Sequence, residues 1–213
     1  MAQRTGVRLP APPQTMPHAP LPTTEQLARV RDAIGATSLV HSRRLEGGLS
    51  CTLDVLSEPD GRLVLRRYDD WYAERGEDVA QREIRALELV QKANIPAPAP
   101  VWRDSDGIFD EPAILISYVD GLPDLTPSNP FEWAERLAST LVKIHEIKLS
   151  DDDLTLFPPG AGEDINKIQQ NPELMLEHPL GEDLLRRRVI LGQQTPDPEL
   201  VFSHTDYWPG NTL

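Results

Sequence analysis

Two runs of strand-like sequence, Cys51 to Val55 and Arg62 to Tyr68, flank the four residues Glu58-Pro59-Asp60-Gly61. In such a link proline presets φ, aspartate bonds its own backbone, and glycine accepts a positive φ. Strands joined this tightly must lie side by side and antiparallel, because a parallel pair needs a crossover of about a dozen residues or more. The pattern therefore predicts an antiparallel hairpin with Gly61 at positive φ. Leu39 to Leu45 is a further strand-like run, joined through Glu46-Gly47-Gly48-Leu49-Ser50. Glycines between paired strands let a backbone approach something closely. A phosphate is one reading of that approach, and a plain hairpin turn is the other. Val101 to Tyr118 reads as another hairpin around Asp104-Ser105-Asp106-Gly107, and Ala113 to Val119 is apolar enough for a buried strand.

Helical periods stand around these strands. Thr23 and Gln26 form a capping box, Leu27, Val30 and Ile34 recur on one face, and Gly35 ends the helix. Residues 74 to 93 place Val79, Ala80, Ala86, Leu87 and Val90 on one apolar arc, with Glu83 inside it. A carboxylate in such an arc needs a cation. Val64 and Arg66 share a strand face by the period of two, so Arg66 is the expected partner. The other reading leaves Glu83 at the rim, reaching water. Asn94 to Pro100 is an extended connector. Asp120-Gly121 reads as a hinge, after which the chain is helical. Asn129 is an N-cap, Pro130 sits at N1 and Glu132 at N3. Phe131, Ala134, Leu137, Ala138, Leu141 and Ile144 form the expected core stripe, with His145 in it as a core histidine rather than a catalytic one. Asp151-Asp152-Asp153 reads as a solvated turn. Residues 154 to 180 read as loop-rich with a short helix over 164 to 170, and Leu184 to Leu191 as a helix ended by Gly192. Residues 1 to 22, with six prolines, read as a flexible arm.

Chemistry enters at the end of the chain. The apolar run Leu200-Val201-Phe202 feeds a loop in which His204, Asp206 and Asn211 stand in the order H-x-D-x-x-x-x-N. That is the catalytic-loop pattern of kinases, in which the Asp accepts the proton of the attacking hydroxyl and the Asn holds magnesium. Both side chains must converge on one γ-phosphate, and Pro209-Gly210 supplies the turn between them. A polar surface loop is the alternative.

A net charge of −13 argues against nucleic acid as a partner. It suits a cationic substrate, or simply an acidic cytoplasmic protein. The single cysteine, Cys51, excludes an intramolecular disulfide and fits a reducing compartment. Five scattered histidines with one cysteine build no zinc site. No run is apolar enough to span a membrane, and the N-terminus has no apolar core of a secretory signal.

Taken in order, these parts resemble the aminoglycoside phosphotransferase family, within the kinase-like fold that also includes choline kinases. The resemblance runs from about Leu27 to the end. It rests on Leu45 to Ser50, Leu63 to Arg67, Arg82 to Leu87, Ile95 to Pro98, Ile114 to Gly121, Leu141 to His145 and, most specifically, His204 to Asn211. It implies an α+β, protein-kinase-like fold of two lobes. Residues 23–120 would form an N-terminal lobe with an antiparallel sheet, and residues 121–213 an incomplete helical C-terminal lobe. It also implies ATP-dependent transfer of the γ-phosphate to a hydroxyl of a small molecule, with Mg2+. By that resemblance Gly47, Gly48 and Ser50 belong to the loop over the phosphates. Arg66 stands where kinases place a lysine on the α- and β-phosphates, and Glu83 holds it. Ser117, Tyr118 and Val119 line the adenine pocket through backbone groups. Asp206 is the base and Asn211 a magnesium ligand. Thr205 departs from the usual glycine. The family's second metal-binding Asp and the helices completing its acceptor pocket have no counterpart before Leu213. The alternative is therefore a truncated, catalytically impaired nucleotide-binding remnant, expected to bind ATP weakly and turn over poorly. A protein kinase or a scaffold fits less well, since no activation-segment signature is present.

Overall fold

The computed structural model describes residues 19–45, 51–68, 78–157, 181–183, 185–187, 200–207 and 209–212. The chain divides into two compact units between Leu122 and Pro123.

In the first unit, helix α1 (Thr24–Ile34) precedes strands β1 (Val40–Leu45), β2 (Cys51–Glu58) and β3 (Gly61–Tyr68). Helix α2 (Val79–Lys92) and strands β4 (Pro100–Arg103) and β5 (Ala113–Ser117) follow. The sheet runs β1-β2-β3-β5-β4, with each neighbouring pair antiparallel. The β2–β3 hairpin is the expected one, but Gly61 is not at positive φ. The ladder explains this. Gly61 pairs with Glu58, so only Pro59 and Asp60 form the turn and Gly61 is already extended. A type I turn keeps φ negative at both central residues and favours Pro at the first and Gly just after the second.

Register sorts the sheet's side chains into two faces, because paired residues point the same way. Thr52, Asp54 and Leu56 share a face with Leu63, Leu65 and Arg67; Cys51, Leu53 and Val55 share the other with Val64, Arg66 and Tyr68. On the first face Leu27 and Val30 of α1 pack with Leu56, Leu63, Leu65, Phe109 and Leu115. On the second, Ala80, Ile84 and Leu87 of α2 pack with Val64, Tyr68, Ile114 and Ile116. The sheet is thus covered by one helix on each side.

The caps follow the expected chemistry. Thr23 and Gln26 bond reciprocally at 2.9 and 3.1 Å. Gly35 closes α1 at φ 69°, with nothing within 4 Å of where a Cβ would stand. Gly35→Ala should therefore cost only backbone strain, about 1 kcal/mol. Urea denaturation with an unchanged m-value checks this. Helix α2 starts at Asp78, which accepts from the Gln81 N–H at 2.8 Å; the expected residues 74–77 lie outside the described ones.

The second unit contains α3 (Pro130–His145) and α4 (Asp151–Leu156). Asn129 caps α3 with Pro130 in its first turn. The expected core stripe is buried only toward its C-terminal end: Ile144 is 5% exposed, whereas Phe131 is 89% exposed. A helical period says which residues share a side, not how far along the helix something packs against them. Asp151 to Asp153 is not a solvated turn. Three carboxylates suit a helix N-terminus, and Ser150 with Asp153 forms a capping box that buries Asp153. Residues 181–183 and 185–187 are helical, starting ahead of the expected Leu184. Residues 188–192 and the expected helix over 164–170 lie outside the described residues. No helix among the described residues is long and apolar enough to cross a membrane.

Candidate functional site

The α2 face of the sheet carries the first group. The Arg66 Nη1 donates to Glu83 Oε1 at 2.7 Å, and the Tyr68 hydroxyl donates to Glu83 Oε2 at 2.5 Å. Strand period places Arg66 and Tyr68 on one face, and α2 brings Glu83 to both. The Arg66 guanidinium also sits 5.4 Å from the Tyr68 ring centre. Glu83 is half-buried, 22% exposed, so it takes a cation while keeping an edge toward solvent. Burial pulls the Arg66 pKa down, but the Glu83 charge together with Cys51 and Tyr68 more than offsets it and the net shift is upward. Burial first, and the Glu83 charge next, push the Tyr68 hydroxyl well above its ordinary range. Tyr68 therefore stays protonated and donates. The Nε atoms of Arg66 and Arg67 are both buried with no hydrogen-bond partner among the described residues.

Ser117, Tyr118 and Val119 follow the β5 ladder. The Ser117 N–H donates to Ala99 O at 2.8 Å and the Tyr118 N–H to Arg62 O at 3.1 Å. The Ser117 hydroxyl accepts from the Ala99 N–H at 2.8 Å. These groups are spent within the sheet. Of the three, only Val119 has an N–H that none of the described hydrogen bonds engages. Tyr118 is itself held, with Arg62 stacked 4.0 Å over its ring and Arg43 donating to its hydroxyl at 3.2 Å. Arg62 also reaches Asp120 at 2.6 Å. Gly47, Gly48 and Ser50 lie outside the described residues.

In the second unit, the loop after Phe202 folds back on itself. The Asn211 Nδ2 donates to Asp206 Oδ2 at 2.7 Å and to the Asp206 carbonyl at 2.9 Å. A 3-10 turn over Pro209–Asn211 makes that closure possible. Asp206 and Asn211 are exposed. Two aromatic residues that the motif does not name anchor the loop. The Tyr207 hydroxyl donates to Leu137 O of α3 at 3.1 Å, and Phe202 meets Phe157 edge to face at 5.2 Å. The loop thus presents a carboxylate and a carboxamide oxygen, both hard donors of the kind Mg2+ takes. Among the described residues no group of three or more His, Cys, Asp or Glu side chains could hold a metal.

Sequence reasoning missed a second charged group, on the α1 face. Asp54 is fully buried. It accepts from Arg44 at 3.0 and 3.2 Å, from Arg67 at 2.8 Å, and lies 3.0 Å from His41 Nε2. Arg67 further donates to Glu111 at 3.0 Å and to Pro20 O at 2.6 Å. The Ala19 N–H donates to Thr52 Oγ1 at 3.1 Å, so the last residues of the proline-rich stretch are pinned to the sheet. Burial alone would raise the Asp54 pKa, yet hydrogen bonds from Arg44, Arg67 and His41 hold it below the usual value. The available signal was that Asp54 alternates in step with Leu56. Tyr68 carried a similar one, two residues beyond Arg66.

A sequence model described as a phosphotransferase enzyme family matches residues 41–213. No curated protein sequence matches the chain. A crystal structure from Ralstonia eutropha, provisionally described as an aminoglycoside phosphotransferase, is similar with a TM-score of 0.63 at 16% identity. The similarity covers 89% of this chain and 59% of that one. The aminoglycoside phosphotransferase APH(4)-Ia is similar over 60% of this chain and 41% of that one, with TM-score 0.43 and 13% identity. This chain thus spans about six-tenths of the length of the first of these structures. The first likeness supports a kinase-like α+β fold.

Proposed function

This chain belongs to the phosphotransferase enzyme family, and from that premise we propose that it uses ATP and Mg2+ to phosphorylate a hydroxyl of a small molecule. The observation that carries the reading is the closed loop in which Asn211 binds Asp206 at 2.7 Å. It supports the reading by bringing together, from one short stretch, the two residues taken as base and metal ligand.

In this reading the Asp206 carboxylate takes the acceptor's proton as the hydroxyl oxygen bonds to the γ-phosphorus. The bond from that phosphorus to the bridging oxygen breaks, and ADP leaves with the electron pair. Asn211 would hold Mg2+ through Oδ1, since its Nδ2 is committed to Asp206; the ion would supply neutralisation of charge on the phosphate oxygens. Arg66 takes phosphate oxygens. Glu83 holds the guanidinium in place. Gly47, Gly48 and Ser50 supply the loop over the phosphates. Of Ser117, Tyr118 and Val119, the Val119 backbone is the best placed to meet an adenine edge. The charge of −13 favours a cationic acceptor such as an amino sugar or amino alcohol.

The test combines calorimetry of Mg-ATP binding with ADP release and product mass spectrometry across aminoglycosides and amino alcohols. Saturable Mg-ATP binding with acceptor-dependent ADP release is expected. Binding without transfer to any acceptor would instead identify a nucleotide-binding remnant, and no binding at all would overturn both. Arg66→Ala should raise the dissociation constant for Mg-ATP by about ten- to a hundredfold, the worth of charged hydrogen bonds to phosphate.

A further inference from the structure

We propose that Arg62 is a positioning residue that fixes the segment after β5 and so holds the Val119 N–H ready for the base of a nucleotide. The inference rests on the reading of Val119 as meeting an adenine edge and adds what sets that backbone in place. Leu63 pairs with Ser117 at the end of the β3–β5 ladder, so Arg62 stands opposite Tyr118, one step beyond it. The Arg62 carbonyl accepts the Tyr118 N–H at 3.1 Å, the last of the described backbone bonds from β3 to this segment. The Arg62 guanidinium lies 4.0 Å over the Tyr118 ring and donates to Asp120 Oδ2 at 2.6 Å. From β1, Arg43 donates to the Tyr118 hydroxyl at 3.2 Å.

Val119 is thus held through its neighbours rather than by a bond of its own. Tyr118 before it and Asp120 after it are tied to one arginine, while none of the described hydrogen bonds engages the Val119 N–H. A chain leaving a sheet without such ties samples many backbone states. Ordering it on binding lowers affinity, and a segment ordered beforehand escapes that loss. Arginine suits the task better than lysine. Its planar guanidinium covers an aromatic face while offering N–H donors at its edge, whereas an ammonium is a compact point charge. The ion pair itself adds little to folding, because the Arg62 and Asp120 side chains are 43% and 78% exposed. Its consequence is conformational: Arg62 acts on the ligand through the backbone of residues 118–120 and touches no nucleotide itself.

The experiment measures calorimetric affinities for Mg-ATP and for Mg-tripolyphosphate, which lacks a base, in the full chain, Arg62→Ala, Arg62→Lys and Arg66→Ala. Arg62→Ala should weaken Mg-ATP about two- to tenfold, the effect of leaving a side chain to be ordered on binding, and leave Mg-tripolyphosphate unchanged. Arg62→Lys should lose most of the same affinity although it keeps the charge. Arg66→Ala should weaken both ligands. Unfolding midpoints of the Arg62 variants should match that of the unaltered chain. Unchanged Mg-ATP affinity in Arg62→Ala, an equal loss for both ligands, or full rescue by lysine overturns the inference while leaving the adenine reading standing. An unaltered chain that binds Mg-ATP no more tightly than Mg-tripolyphosphate sinks the adenine reading and the inference with it. Hydrogen exchange supplies a readout without ligand. The Tyr118 amide should exchange faster in Arg62→Ala than in the unaltered chain, and an unchanged rate overturns the proposal.

Discussion

Asp206→Asn is expected to lower phosphoryl transfer by roughly a hundred- to ten-thousandfold, the range that a positioned general base supplies. Mg-ATP affinity should change little. The substitution is nearly isosteric, and its amide oxygen can still accept from Asn211 Nδ2, which now bonds Asp206 Oδ2 at 2.7 Å. The loop should therefore stay closed, held also by Tyr207 on α3 and by Phe202 against Phe157. What disappears is basicity. Single-turnover transfer and calorimetric binding, measured side by side, separate the two effects. Transfer at the unaltered rate would show that Asp206 does not take the proton.

The largest effect on stability is expected at Asp54, on the opposite face of the sheet from Arg66. Asp54→Ala strands Arg67, which is 2% exposed, beside a depleted set of partners. Breaking one side of a buried ion pair costs about 3–5 kcal/mol, enough to unfold many domains of this size. The pH dependence has a definite sign. The Asp54 carboxyl is held below its ordinary value in the fold. Its contribution is thus complete above the unfolded-state value of about 3.9 and fades as pH falls through the folded one. Urea denaturation should show the difference between the unaltered chain and Asp54→Asn narrowing as the pH drops below about 4. A constant difference down to low pH would mean the carboxylate charge is not what stabilises the cluster.

Much of the local structure was legible because its signals involve few residues. The Pro59-Asp60 turn, the Thr23–Gln26 box and the Asn129–Pro130 start each depend on a few neighbouring residues, and each stands where the sequence places it. The Arg66–Glu83 pair was legible for a different reason: two periods, one of strand and one of helix, pointed at the same gap. Where only one period was available, reasoning stopped at a face. It placed Phe131 on the core side of α3, where it is in fact exposed. It left Asp54 as an alternating polar residue, because the basic groups around it come from β1 and β3. The spent backbone groups of Ser117 and Tyr118 were invisible for the same reason, since strand order decides which N–H groups remain available.

Strand β3 sets two adjacent arginines back to back. Arg66 points to the α2 face and Glu83; Arg67 points to the α1 face and Asp54. In a lineage, such a strand can change by replacement far more readily than by losing or gaining a residue. A one-residue slip between Asp60 and Arg66 would flip both side chains at once. The guanidinium that holds the scaffold together would then lie on the ligand side, and the one read as meeting phosphate would be driven into the buried cluster. Single-residue insertions and deletions in this short stretch should therefore be purged from any set of functional variants, even where each position tolerates several substitutions.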